Sequence, residues 1–228
     1  MNEQPKLHKP QAMMFDMDGT LFQTETVLLP AYHKTFEILK QEGLYYGETP
    51  PEEIILSCLG MLLEHIWERV IPGAGAPTVA RANELLLQLQ LDEMEAGISA
   101  MYPQVTETLQ YLHDQGVRLF VASNGLEGYV KGAADVHQLT PLFEGVYSAG
   151  EYNTASKVDL VKLLMTTHHV TEAWMVGDRS SDVEAGKKNG QVVIGCNYAD
   201  FGDTAELEGS DVIITSFDQL TTLYDQAE

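Results

Sequence analysis

Apolar residues are distributed along the chain in two alternating patterns. The first is a short continuous apolar run that stops abruptly at polar residues or glycine. Ala12-Met13-Met14-Phe15 runs into Asp16-Met17-Asp18-Gly19-Thr20, and residues 117–122 run into Ser123-Asn124-Gly125. Residues 146–148 lead into Ala149-Gly150-Glu151, and residues 173–176 into Gly177-Asp178. Runs this short, bounded by turn signals, predict strands buried on both faces, and similar runs at 191–195 and 211–214 bring the expected number to about six. The second pattern has helical spacing. Val105, Leu109 and Leu112 follow an i, i+4, i+7 stripe that closes at Gly116. Leu160, Leu163 and Leu164 mark another helix, with Ser156 and Asp159 spaced as its cap. A third is expected from Ser181, with Glu184 three residues on, to Asn189-Gly190.

Strands alternating with helices predict an α/β fold with a parallel, Rossmann-like sheet. Residues 22–99 break the alternation. They contain no convincing strand, and carry helical stripes at Tyr32, Phe36 and Leu39 and at Ala82, Leu85, Leu86 and Leu89, broken at Pro50-Pro51 and Pro72-Gly73. The expected organisation is therefore a core of residues 1–21 and 100–228, interrupted by a helical bundle over 22–99.

Composition narrows the function. The chain has 228 residues, 44% hydrophobic and 21% charged, as in an ordinary globular protein. Thirteen Lys plus Arg against 34 Asp plus Glu give a formal charge of −21, which repels nucleic acid and anionic lipid. Cys58 and Cys196 match no metal-ligand spacing and read as reduced thiols. The polar opening segment and the absence of a long apolar run predict a cytoplasmic protein. His33, His65, His168 and His169 read as surface or structural residues, methionines such as Met13, Met14, Met17 and Met175 as core filling, and the acidic segment 200–208 as a solvated loop.

Ligands of parallel α/β sheets bind at the carboxyl ends of the strands. Those ends carry Asp16 and Asp18, Ser123 and Asn124, and Asp178 with Asp182 beyond it, while Lys157 opens the helix after the 146–148 strand. Gly19 permits a turn that could bring Asp18 back over Asp16. Carboxylates gathered on one edge repel one another, so a divalent cation is their natural neutraliser, and all-oxygen ligation favours Mg²⁺. A carboxylate can attack phosphorus, and a second can protonate the leaving oxygen and then activate water.

In its order of motifs the sequence resembles the haloacid dehalogenase-like (HAD) hydrolase superfamily over nearly the whole chain. Asp16-Met17-Asp18-Gly19-Thr20 matches the first motif, Ser123 the second, Lys157 the third, and Gly177-Asp178-Arg179-Ser180-Ser181-Asp182 the acidic fourth. The 22–99 insertion is similar to the α-helical cap of the phosphoglycolate phosphatase and β-phosphoglucomutase-like subfamily. The resemblance implies a Mg²⁺-dependent phosphatase acting on a small phosphorylated metabolite through a phosphoaspartate. It makes Asp16 the nucleophile and a metal ligand, and Asp18 the general acid/base, lending its backbone carbonyl to the metal. Ser123, the Asn124 backbone and Lys157 would hold phosphate. Asp178 would bind Mg²⁺, and Asp182 would bind it directly or through a second layer. The expected partners are that metabolite, with no nucleic acid and no membrane, in a monomer or homodimer.

Two departures touch the pattern. Gln23 stands where the family often has Asp, and Val158 where Pro often follows the lysine, which leaves Lys131 or Lys162 as substitutes for Lys157. A phosphosugar mutase is the alternative activity, disfavoured by Thr20 in place of Val and by Met61-Leu62-Leu63, without arginine, after Gly60. A dehalogenase would leave Asp18 and a metal site superfluous. Residues 57–63, the expected cap surface facing the sheet edge, are uncharged and argue against a second strongly anionic group on the substrate. Hinges near 21–24 and 99–102 would let the cap move. Only the cation and Lys157 reverse the local sign, so phosphate-ester binding is expected to depend on metal.

Overall fold

The computed structural model describes residues 7–61, 63–199 and 204–228, the side chains of Leu63 and Glu64 set aside. Six parallel strands form one sheet: β1 (Ala12–Phe15), β2 (Arg118–Ser123), β3 (Gly145–Ser148), β4 (Ala173–Gly177), β5 (Val192–Cys196) and β6 (Val212–Ile214). Their spatial order is β3-β2-β1-β4-β5-β6. All six expected strands are present, because each buried apolar run is long enough for one strand and too short for a helix.

The alternation of strand side chains divides the interior in two. Met13, Phe15, Leu119, Val121, Trp174 and Val176 join one core, whereas Ala12, Met14, Phe120, Ala122, Ala173 and Met175 join the other. Met14 is aligned with Phe120 on one neighbour and Met175 on the other, so the methionines do fill core.

Between β1 and β2 the chain forms helices α1 (Glu25–Gln41), α2 (Glu52–Leu56), α3 (Leu63–Val70) and α4 (Ala76–Glu95). They bury a third core of their own, in which Tyr32, Phe36, Leu39, Ala82, Leu86 and Leu89 carry the stripes read from the sequence. The Tyr32 and Phe36 rings meet edge-to-face at 5.0 Å. After it come α5 (Val105–Asp114), α6 (Glu127–Val136), α7 (Ala149–Tyr152), α8 (Lys157–His168), α9 (Ser180–Lys188) and α10 (Gln219–Gln226). Helices α5, α6 and α10 cover the first face of the sheet; α8 and α9 cover the second.

The chain leaves the sheet at Phe22 and returns at Met101, and these two residues form an antiparallel bridge. The Gln23 N–H donates to the Ala100 carbonyl at 2.9 Å, and its Nε2 donates to the Met101 carbonyl at 2.7 Å. Gln23 thus ties the outgoing strand to the returning one with its side chain as well as its backbone.

Two local expectations need correction. Helix α9 starts at Ser180 rather than Ser181, because the buried Asp182 carboxylate reaches back to accept the Arg179 N–H at 3.0 Å, and Glu184 takes no part in the cap. Within the acidic segment, residues 200–203 lie outside the described residues, but Thr204–Leu207 is a 3₁₀ turn rather than a solvated loop. Leu207 is buried there, and Glu206 accepts from Arg179 Nη1 and Ser180 Oγ. No described helix is long and apolar enough to cross a membrane.

Candidate active site

From β1 the sheet grows in opposite directions, β2 on one side and β4 on the other. This reversal opens a crevice beyond the carboxyl ends of the strands, the usual place for a ligand in such sheets. Asp16 stands there, directly after β1, with its N–H donating to the Val176 carbonyl at 2.9 Å. Ser123 closes β2, and Asp178 follows β4.

Asp16, Asp178 and Asp182 each turn a carboxylate oxygen into one buried cluster, the three atoms within 4.8 Å of one another. Lys157 enters from the start of α8. Its Nζ lies 2.8 Å from Asp16 Oδ2 and 2.6 Å from Asp182 Oδ1. Burial works against the ammonium, but the two carboxylates outweigh it and hold Lys157 above its ordinary range. Burial also raises Asp182, to about 6, against the lowering effect of Lys157. Asp178 is pushed well above the ordinary carboxylate range, by burial first and then by Asp16 and Asp182. One lysine does not balance three buried acids.

The cluster fits a hard divalent cation. Asp178 Oδ1 accepts from Thr20 Oγ1 at 2.9 Å, but Oδ2 is buried and accepts no hydrogen bond among the described residues, with Arg179 Nε 3.5 Å away. A Cβ on Gly19 would lie 2.3 Å from that same oxygen, and Gly19 has φ +74°. The turn that brings the first-motif loop against Asp178 therefore requires glycine. Three oxygen donors, one of them orphaned, beside a backbone cradle are what such a cation needs.

Asp18 points elsewhere. Its Oδ1 accepts from Thr24 Oγ1 and from Tyr129 Oη, both at 2.5 Å. Burial and the nearby Asp16 raise its carboxyl to about 6, while the two hydroxyl donors oppose the rise. Asp18 is thus the acid of the group held apart from the cluster, beside it but facing the helical insert. Its side chain is not among the cation-facing oxygens.

The second-motif residues meet the insert. Ser123 is buried, and its Oγ accepts the Gly125 N–H at 3.2 Å. Asn124 Nδ2 donates to the Gly60 carbonyl at 2.8 Å. From the other side Arg179 Nη2 reaches the Leu56 carbonyl at 3.4 Å. The segment around Gly60 is therefore held between two loops of the core. Of the expected cap surface, Leu59, Gly60 and Met61 line a cavity of about 90 Å³ in front of Asp16, Asp18 and Ser123; residue 62 and the side chain of Leu63 lie outside the described residues.

Neither substitute for Lys157 comes near. Lys131 pairs with Glu127 and Glu151, and Lys162 is exposed. His168 packs on Phe120 and shares a hydrogen bond with Tyr147 Oη, and His33 pairs with Glu52, so both are structural. Thr20, Thr24, Tyr129 and Arg179 were not read from the sequence as site residues. Tyr129 lies 111 residues from Asp18, and no local spacing announces the pair. Thr20 and Arg179 sit inside the quoted motifs, which was the available signal.

The chain is similar to known proteins in sequence and in fold. The chain is 27% identical over 185 residues to a phosphoglycolate phosphatase of Aquifex aeolicus, covering 79% of this chain and 81% of that one. It is 24% identical over 192 residues to a putative pyrophosphatase PpaX of Clostridium perfringens, covering 82% and 84%. The crystal structure of CbbY from Rhodobacter sphaeroides in complex with phosphate superposes with a TM-score of 0.80 at 23% identity, over 95% of this chain and 99% of that one. Residues 13–196, which reach from β1 to the end of β5 and hold every acid of the cluster, match the family described as haloacid dehalogenase-like hydrolase, and the chain belongs to that family.

Proposed function

We propose that the chain is a Mg²⁺-dependent phosphatase that hydrolyses a small phosphorylated metabolite through a phosphoaspartate on Asp16. The observation that carries this reading is the position of Asp16 at the sheet's switch point, between the Lys157 ammonium and the Asp178–Asp182 acids, with Asp18 held separately beside it.

Asp16 Oδ1 is oriented by the Met17 N–H at 2.8 Å, which fixes the carboxylate for attack on phosphorus. As the Asp16 oxygen–phosphorus bond forms and the ester bond breaks, protonated Asp18 gives its proton to the leaving oxygen. A carboxyl near 6 keeps a protonated share close to neutrality, which an ordinary aspartate does not. Asp18, now a carboxylate, takes a proton from the water that attacks the phosphoaspartate, and both groups return to their starting states. The Ser123 hydroxyl and the Asn124 N–H would hold phosphate oxygens, and Lys157 would balance their charge. Asp16, Asp178 and Asp182, with the Asp18 backbone carbonyl, would hold Mg²⁺, which supplies positive charge to an otherwise anion-repelling pocket. In the same reading, residues 22–99 are a cap over a core of 1–21 and 100–228.

With p-nitrophenyl phosphate and Mg²⁺, the native chain should release phosphate and Asp16→Asn should not, at unchanged circular dichroism. Turnover retained by Asp16→Asn would overturn the assignment, as would tight phosphate-ester binding in chelator.

A further inference from the structure

The cavity in front of Asp16 and Asp18 is where a leaving group must sit if the phosphatase reading is right, and the inference below rests on that reading. Its wall on the insert side is aliphatic: Leu28 from α1, Ile55 and Leu59 from the second helix and its following turn, and Leu86 from α4. No lysine or arginine lines it among the described residues. Lys157 is occupied between Asp16 and Asp182, on the cluster side of Asp16. Arg179, whose side chain packs against Gly60, turns its guanidinium to Glu206 and the Leu56 carbonyl. Among the described residues, the only charged groups at the cavity are the acids Asp16 and Asp18 themselves.

Gln90, only 8% exposed, also faces this cavity, and its amide has no hydrogen-bond partner among the described residues. Its amide is open to the cavity, where a ligand hydroxyl or carbonyl can meet it. Asn83 supplies a second amide, its oxygen taken by the Trp67 indole N–H. At about 90 Å³ the space is smaller than the roughly 150 Å³ cavity that holds benzene.

We infer that this site takes a phosphomonoester whose leaving group is uncharged and short, with an aliphatic body and one hydroxyl or carbonyl that meets Gln90. A leaving group that carries its own anion is disfavoured. Phosphoglycolate would place a carboxylate, and pyrophosphate a second phosphate, against aliphatic side chains and the Asp18 carboxyl with no cation to pair it. The pocket thus differs in chemistry from what the names of the two relatives describe.

The test compares phosphate compounds of similar size on the 228-residue chain with Mg²⁺. Hydrolysis of 2-hydroxyethyl phosphate, phosphoglycolate and pyrophosphate is followed by phosphate release. 2-Hydroxyethyl phosphate, with its uncharged leaving group, should exceed both phosphoglycolate and pyrophosphate at least tenfold in kcat/KM, and a ratio below ten for either overturns the inference. Binding of 2-hydroxyethyl phosphate and phosphoglycolate to Asp16→Asn with Mg²⁺, measured by calorimetry, should show the same tenfold order. If no ester is turned over, the phosphatase reading falls, and the binding ratio alone still decides the leaving-group inference. Gln90→Arg, checked for folding by its melting temperature, should raise the phosphoglycolate to 2-hydroxyethyl phosphate ratio at least tenfold over the native chain, and no rise counts against the inference.

Discussion

Replacing Lys157, a residue only 2% exposed, with methionine keeps an unbranched apolar stem and removes the ammonium placed between two acids. Its distances of 2.8 Å to Asp16 and 2.6 Å to Asp182 correspond to about 6 kcal/mol of attraction each at an effective dielectric constant of about 20. Most of this is offset by the several kcal/mol that it costs to desolvate the ammonium, a cost the variant no longer bears. What remains is the usual loss of about 3–5 kcal/mol on breaking a buried pair, because Asp16, Asp178 and Asp182 stay behind within 4.8 Å of one another. For a chain of this size each kcal/mol moves the melting temperature by about 2–4 °C, so Lys157→Met should melt roughly 6–20 °C below the native chain in EDTA. Millimolar Mg²⁺ should narrow that gap, since the variant's cluster carries one more net negative charge for the cation to neutralise. Thermal unfolding followed by circular dichroism, with and without Mg²⁺, reads both effects. A melting temperature within about 2 °C of the native value in EDTA, or a gap that Mg²⁺ leaves unchanged, would refute the reasoning.

Three further outcomes follow from contacts elsewhere in and beside the site. Tyr129→Phe deletes the phenolic donor to Asp18, a hydrogen bond to a charged group; kcat should fall about tenfold with KM little changed in steady-state assays. Gly19→Ala combines a left-handed φ of +74° with a Cβ 2.3 Å from Asp178 Oδ2; it should cost about 2 kcal/mol in urea unfolding and weaken Mg²⁺ binding in calorimetry. Intact Mg²⁺ affinity in that variant would remove the crowding argument. His137, beside Ser99 and the Phe22 ring, is held below its ordinary pKa by burial. The folded chain therefore favours neutral imidazole, and its stabilisation is complete above the unfolded value near 6.5 and lost as pH falls below it. His137→Gln should make the urea midpoint less sensitive to pH between about 7 and 5, and equal sensitivity in both proteins would exclude His137 as a source.

The strands were legible because each is a buried run that ends in a turn, information held within a few residues. Asp16, Asp178 and Asp182 were legible as acids at strand ends, and Lys157 as a cation opening the following helix. What escaped was long-range. The reach of Tyr129 to Asp18, of Asn124 to Gly60 and of Arg179 to Leu56 spans 111, 64 and 123 residues. The first depends on how α6 packs beside the loop after β1, and the other two on how the helical insert settles against the sheet; no periodicity encodes either. The start of α9 was misplaced for a related reason. Ser181 and Glu184 have a capping spacing, but Asp182, buried against Lys157, is the carboxylate that turns back to the Arg179 N–H.

The antiparallel bridge between Phe22 and Met101 places the two crossings of the chain side by side, about 5 Å apart. The bridge closes the whole helical excursion at its base, and β1 and β2, on either side of it in the chain, are parallel neighbours in the sheet. Loop-closure entropy grows only with the logarithm of length, so a longer or shorter excursion alters the stability of the sheet little. The fold is in this sense a socket with an exchangeable fitting. A change in the excursion can alter the surface it presents while the acids at the strand ends stay where the sheet holds them.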